Sequence, residues 1–106
     1  MKRNELLDTI ASEILNMRNG LVVANNDSED FTEIHIASLL RGMIKAAGYD
    51  YEEDAPVTKL HELDTIVVEV LRIETGLYQA NNDSDDFNEL HVTDIRNALE
   101  AAYALR

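Results

Sequence analysis

Two acidic turns of nearly identical sequence carry most of the side chains that could bind a ligand. Residues 25–33 read NNDSEDFTE and residues 81–89 read NNDSDDFNE. Their carboxylate and amide oxygens are the ligand types that calcium and magnesium prefer, so a divalent-metal site is one interpretation. The candidate binding residues in the turns are Asn25, Asp27, Glu29, Asp30, Asn81, Asp83, Asp85 and Asp86.

The turns do not follow the EF-hand pattern of calcium-binding loops. That pattern needs a Gly at position 6 and a Glu at position 12. Counted from Asn25, these positions hold Asp30 and Ile36, and the second turn holds Asp86 and Val92. We therefore assign no metal ligand from the sequence, and metal binding stays open as an alternative.

A structural interpretation accounts for the same turn residues. Asn, Asp and Ser favour turns because their side chains bond to nearby backbone amides. Asp30 and Glu33 have the N-cap and N3 spacing of a capping box, and Asp86 and Glu89 repeat that spacing. This spacing predicts a helix that starts directly after each acidic turn.

Two histidines are the main candidates for catalysis among the polar residues. His35 and His91 are equivalent, each four residues after a Phe, and we expect both to be hydrogen-bonded, partly buried structural residues. The alternative pairs them with Asp27 or Asp83 as acid and base. The chain has no Cys, its four Gly are isolated, and the Ser of neither turn resembles a nucleophile elbow. The sequence therefore predicts a protein that is not an enzyme and has no cofactor.

The chain consists of one unit written twice. Residues 4–50 and 60–106 are identical at 18 of 47 positions without a gap when the sequence is shifted by 56 residues. A chain of 106 residues is long enough for one core, so we expect a single domain, 1–106, made of these two repeats. A surface linker, residues 48–58, joins them, and its acidic residues Glu52, Glu53 and Asp54 complete the candidate binding residues.

Each repeat is predicted to form a helix, an extended turn and a second helix. Apolar residues at steps of three and four predict a helix over residues 4–18 and an equivalent one in the second repeat, ended by the pairs 19–20 and 75–76. The second helices are expected over residues 31–47 and 87–104, with Phe31 and Phe87 on their inner faces. Residues 21–24 and 77–80 fit short strands or extended connections equally well. The predicted fold class is mainly α: a tandem duplication packed as a four-helix bundle with pseudo-twofold symmetry.

Charge and composition limit the partners that the chain can bind. Nine basic against 21 acidic residues give a net charge of −12, which argues against binding nucleic acid or anionic lipid through a basic face. The distribution is uneven: residues 1–50 carry 5 basic and 8 acidic groups, and residues 51–106 carry 4 and 13. No apolar run is long enough to span a membrane or to act as a secretory signal, so we expect a cytoplasmic chain.

The second repeat resembles a family of small uncharacterised proteins found among plasmid and phage accessory genes. That family carries an S-D-S-x-D-F-H turn followed by a helix with I-R-x-A-L-E-A-A-Y. The matching positions are Asp83, Ser84, Asp86, Phe87, Ile95, Arg96, Ala98, Leu99, Glu100, Ala101, Ala102 and Tyr103. The family's His after Phe is replaced by Asn88, and by Thr32 in the first repeat. The resemblance implies an origin in a mobile element, and a single-copy relative that pairs as a dimer would make this chain a fused dimer.

These observations predict a non-enzymatic phage or mobile-element accessory protein that binds a protein partner as a monomer or homodimer. One alternative is an acidic nucleic-acid mimic that inhibits a host defence enzyme of the CRISPR or restriction type, through the charge complementarity that DNA itself uses. The other alternative is a divalent-metal-binding protein that uses the acidic turns.

Overall fold

Four α-helices and two strands make up the part of the chain that the structure describes. The structure is a computed structural model and describes residues 2–17, 20–21, 31–74, 76–77 and 87–106. The first repeat contains α1 (Arg3–Thr9), which continues as a π-helix (Ile10–Ile14), then β1 (Phe31–His35) and α2 (Ile36–Ala46). The second contains α3 (Val57–Val70), β2 (Phe87–His91) and α4 (Val92–Tyr103). A mainly helical fold, predicted from the sequence, is confirmed.

The helices meet in one apolar core to which both repeats contribute equivalent positions. Helix α2 packs against α4 and the π-helix, and α3 packs against α4. The largest fully buried side chains include three equivalent pairs: Leu7 and Leu63, Leu39 and Ile95, and Met43 and Leu99. Each fully buried side chain of this size contributes about 1.5–3 kcal/mol relative to an exposed one. None of the helices in the described segments is long and apolar enough to cross a membrane.

The predicted second helices begin five residues too early. Residues 31–35 and 87–91 are strands, and α2 and α4 start at Ile36 and Val92. The segments Phe-Thr-Glu-Ile-His and Phe-Asn-Glu-Leu-His also fit a period of two, and the burial follows it, because Ile34 and Leu90 are buried while the residues on either side are not. Five residues are too few to separate this alternation from the helical period that follows.

The two strands pair antiparallel and link the repeats to each other. The register places Phe31 opposite His91, Glu33 opposite Glu89, and His35 opposite Phe87. Exchanging each residue of one repeat for the equivalent residue of the other turns every pair of this register into another pair of the same register. This register turns Phe31 and Phe87 to the outer face, where they are 43% and 45% exposed, so their predicted place on an inner helix face is wrong.

The first helix of each repeat ends earlier than predicted. The C-cap residues are Leu15 and Leu71, and the equivalent residues that follow, Asn16 and Arg72, have φ of 55° and 59°. The chain therefore leaves the helix through a left-handed residue before it reaches Gly20 or Gly76. Helix α3 also begins at Val57, inside the predicted linker, with Pro56 as its N-cap.

An Asp of the first helix fixes the turn that follows in each repeat. The Leu21 amide donates to Asp8 Oδ1 at 3.4 Å, and the Leu77 amide donates to Asp64 Oδ1 at 2.8 Å. Both Leu residues lie in turns. The rest of the segments for which strands or extended connections were predicted, residues 22–24 and 78–80, lies outside the described residues.

The two turn glycines give a matched pair of stability predictions. Gly20 has φ of +58° and Gly76 has φ of +63°, and a Cβ on Gly76 would collide with the Asp64 carboxylate while one on Gly20 would touch Asp8 at 3.4 Å. We expect Gly20→Ala to lower the free energy of unfolding by about 1 kcal/mol through the left-handed backbone alone. Gly76→Ala should lower it by about 3 kcal/mol, since the collision adds to that strain. Urea denaturation measures both values, and equal losses would show that the carboxylate moves aside without cost.

Candidate functional site

The predicted binding residues fall into two groups in the structure. The turn residues Asn25, Asp27, Glu29, Asp30, Asn81, Asp83, Asp85 and Asp86 lie outside the described residues. Glu52, Glu53 and Asp54 form a short 3₁₀ turn between α2 and α3, and all three are exposed. Among the residues that the structure describes, no group of three or more His, Asp or Glu is arranged to hold a metal ion. Metal binding by the acidic turns stays a prediction.

Histidines, not the predicted capping boxes, cap α2 and α4. Glu33 and Glu89, predicted as N3 residues of a helix, lie in the middle of the strands. The N-cap residues are His35 and His91, whose Nδ1 atoms accept hydrogen bonds of 3.0 Å from the amides of Ala37 and Thr93. An N-cap acceptor satisfies one of the amides that the first helical turn leaves unbonded. The expectation of hydrogen-bonded, partly buried histidines is thus confirmed.

The same histidines contact the phenylalanines of the opposite strand. Phe31 and His91 meet edge to face with ring centroids 5.0 Å apart, and His35 and Phe87 meet in the same way at 4.9 Å. Edge-to-face contacts of this kind contribute about 0.5–1.5 kcal/mol each. Each His therefore caps a helix through its Nδ1 atom and packs against a Phe of the opposite strand through its ring.

We define the outer strand face as the alternate residues that both strands turn away from the core. Its six members are Phe31, Glu33, His35, Phe87, Glu89 and His91. The two Phe–His pairs lie at its ends, and Glu33 and Glu89 lie opposite each other in its centre. None of these six residues was among the predicted binding residues. Their identical spacing in both repeats was the signal that could have found them.

Glu33 and Glu89 place two like charges side by side on this exposed face. Directly paired residues of antiparallel strands have Cβ atoms about 4.5–5.5 Å apart, and like charges in such pairs are destabilising by a few tenths of a kcal/mol to about 1 kcal/mol. Neither carboxylate takes part in an ion pair within the described segments. The face thus presents two carboxylates between two exposed aromatic rings, which suits a cationic group from outside the chain.

A second feature is a groove in the first repeat, which we call the linker groove. It is lined by Glu13 and Ile14, by Leu40, Arg41, Ile44 and Lys45 of α2, and by residues 50–53, and its volume is about 530 Å³. Ile14 and Leu40 are half-buried, Ile44 is buried, and Tyr51 is 68% exposed. Lys45 Nζ donates to Asp50 Oδ1 at 2.6 Å beside the groove. The groove therefore has an apolar floor, an aromatic wall and a charged rim.

The histidine caps can be tested by substitution at one of the two positions. We expect His91→Ala to lower the free energy of unfolding by about 1–2 kcal/mol, because both the cap and the ring contact are lost. His91→Asn keeps an N-cap acceptor and should recover about 1 kcal/mol of that loss. Urea denaturation is the measurement, with His61→Ala on the exposed side of α3 as a control that changes little. An Asn variant as unstable as the Ala variant would contradict the capping role.

The ion pair between Lys45 and Asp50 lowers the pKa of the Asp50 carboxyl group. The hydrogen bond from Lys45, together with its charge, holds the pKa of Asp50 below its ordinary value of 3.8. Because this pKa is lower in the folded chain than in the unfolded one, the pair's small contribution to stability is present above pH 3.8 and is lost as pH falls through the lower, folded value.

The shift is measured by NMR titration of the Asp50 carboxyl carbon. Lys45→Met should raise the midpoint to about the ordinary value, because it removes both the hydrogen bond and the charge. Lys59→Met, which removes a Lys that pairs instead with Glu62 at 3.7 Å, should leave the midpoint in place. A midpoint that the Lys45 variant does not move would contradict the assigned cause.

Comparison with known proteins links the second repeat to a family. Residues 59–105 match the model of a family of unknown function, DUF6900. The match spans 47 of 106 residues and almost coincides with the second repeat, residues 60–106. Comparisons with curated proteins and with solved structures give no match. The matched segment therefore has the length of one repeat of this chain.

Proposed function

We propose that this chain is a non-enzymatic binding protein that contacts a protein partner through the outer strand face. The observation that carries the proposal is the exposure of Phe31 and Phe87, 43% and 45%, on one face of a two-stranded sheet. A single exposed apolar side chain is common on protein surfaces. Two Phe that are held by edge-to-face contacts and flank a pair of carboxylates form a more specific surface, because aromatic residues are enriched at protein interfaces.

The chemistry of this face selects a basic partner. A Lys or Arg between Glu33 and Glu89 would neutralise two carboxylates that otherwise repel each other. The faces of the two Phe rings would add cation–π contacts at either side. The net charge of −12 would attract a basic surface over a longer distance and raise the rate of encounter.

The duplicated architecture belongs to the same proposal. We infer that the two repeats pack as a bundle with a pseudo-twofold axis through the Glu33–Glu89 pair, and that the chain is a fused dimer of an ancestral single unit. Support comes from the strand register, which exchange of the two repeats leaves unchanged, and from a family match that covers one repeat. The resemblance to plasmid and phage accessory proteins supports an origin in a mobile element.

A second candidate is the acidic nucleic-acid mimic, which the charge distribution favours. Residues 51–106 carry 13 acidic and 4 basic groups, a net charge of −9. Such a surface could occupy the basic groove of a host defence enzyme through the charge complementarity that nucleic acid uses. The two candidates differ in which force holds the partner: aromatic contact on the strand face, or long-range charge over a wide surface.

The strand face is tested with a matched pair of double variants. The full chain is first used to capture a partner from cells that carry the gene of this chain. The partner is then purified, and its binding is measured by calorimetric titration. We expect Phe31→Ser with Phe87→Ser to weaken binding more than tenfold, because buried aromatic side chains dominate interface energies. Val57→Ser with Val68→Ser removes two exposed apolar side chains elsewhere, 68% and 38% exposed, and should change affinity less than twofold. Urea denaturation confirms that both double variants stay folded.

A partner that binds both double variants as tightly as the unchanged chain would overturn the strand-face proposal. Salt then separates the two candidates with the same purified partner. We expect the dissociation constant to change less than tenfold between 50 and 300 mM NaCl if aromatic contact dominates, because the Debye length affects only the charged part of the interface. A mimic should lose affinity by a hundredfold or more over this range.

A further inference from the structure

We infer that the linker groove is a second docking site, separate from the strand face, and that it takes a basic amphipathic peptide segment of a protein partner. Its volume of about 530 Å³ lies in the range of sites that hold compact ligands. The half-buried Ile14 and Leu40 offer apolar contact at its floor above the buried Ile44, and Tyr51 lies beside them, 68% exposed. The inference does not depend on the proposed function, because it rests on a different surface.

The second repeat has polar residues at the two α2 positions that line the groove with apolar side chains, and there they line a smaller pocket of about 180 Å³. Leu40 and Ile44 of α2 correspond to Arg96 and Glu100 of α4. Arg96 Nη2 donates to the Leu21 carbonyl at 2.7 Å, and Glu100 Oε2 lies 3.7 Å from Arg3 Nη2. In the second repeat these two positions thus make polar contacts with α1 and the turn, whereas in the first repeat they hold a half-buried Leu40 and a buried Ile44. The half-buried Leu40 is therefore a position where the two repeats differ in polarity.

The charge on the groove rim selects the occupant. Glu13, Asp50, Glu52 and Glu53 line the groove together with Arg41 and Lys45, which gives a net charge of −2. Lys45 is engaged with Asp50 at 2.6 Å, and Glu13, Glu52 and Glu53 form no ion pair with any described residue. Lys or Arg side chains of a partner can pair with these three carboxylates, and their stems or the ring of Tyr51 can cover apolar surface.

The same charges disfavour other occupants. Nucleic acid and anionic lipid would bring phosphates against the rim carboxylates. A second copy of this chain would add a net charge of −12 to a surface that is already negative. An amphipathic segment with Leu-like side chains at i, i+3 or i+4 and Lys or Arg beside them fits both the floor and the rim.

The test uses a synthetic probe and the full chain. The probe is an amidated 14-residue helical peptide of Leu and Lys, and its counterpart has Glu in place of every Lys. Titration into ¹⁵N-labelled protein should shift the amide signals of Leu40, Ile44 and Tyr51 and saturate, while the Glu peptide should leave them unmoved. Leu40→Arg, which copies the residue of the second repeat, and Glu52→Gln with Glu53→Gln should each weaken binding at least fivefold.

Control variants distinguish binding in the groove from general attraction to the acidic surface. Glu69→Gln with Glu74→Gln removes the same charge from exposed positions outside the groove and should change affinity less than twofold. Tyr51→Ser, at an exposed position, gives a groove variant that folds even if Leu40→Arg does not. The inference is overturned if the Lys peptide does not bind, or if the Gln variants at 69 and 74 weaken it as much as those at 52 and 53. It is also overturned if Phe31→Ser with Phe87→Ser abolishes the shifts, because the peptide would then occupy the strand face; that result would still support the proposed function.

Discussion

The antiparallel pairing of residues 31–35 with residues 87–91 is the constraint on which the candidate surfaces depend. Its register buries Ile34 and Leu90 and turns both Phe, both Glu and both His outward. Because side chains alternate along a strand, a slip of one residue would turn the two aliphatic side chains to solvent and the aromatic ones to the core. Burial of one Ile and one Leu against the helices therefore fixes where the Phe–His pairs and the central carboxylates lie.

The histidines connect this register to the helices. A His at the last position of each strand is also the first residue before a helix, so its Nδ1 can cap the helix while its ring reaches the Phe across the ladder. One His side chain in each repeat thus contributes to three features: the strand pairing, the start of the following helix, and the position of an exposed Phe ring. A change at His35 or His91 alters all three together, which makes these residues structural even though they lie on the outer face.

The sequence predicted the helical class and, apart from Phe31 and Phe87, the buried helix faces, because those features depend on local periodicity. Leu7, Leu39, Met43 and Leu99 lie in the core as their spacing predicts. The strands escaped prediction because five alternating residues gain their hydrogen bonds from a segment 56 residues away, and no local pattern contains that information. The capping boxes were wrong for the same reason: Asp30 and Glu33 have the right spacing, but pairing with the second repeat makes Glu33 a strand residue. The acidic linker residues were predicted from their charge, whereas the groove beside them could not be predicted without the packing of α2.

Positions at which the two repeats differ show which residues the shared fold does not fix. On the strand face both repeats have the same residues, and the register places each Phe of one strand opposite a His of the other. Where they differ, the fold itself shows what the position tolerates: α4 accepts Arg96 and Glu100 at the places where α2 has Leu40 and Ile44. Leu40 is half-buried at such a position, where contact of an apolar side chain with water is unfavourable, whereas Ile44 is buried in the core. In the first repeat they line the groove together with an exposed Tyr and three carboxylates that form no ion pair with a described residue, and this difference between the repeats is what the inferred docking site rests on.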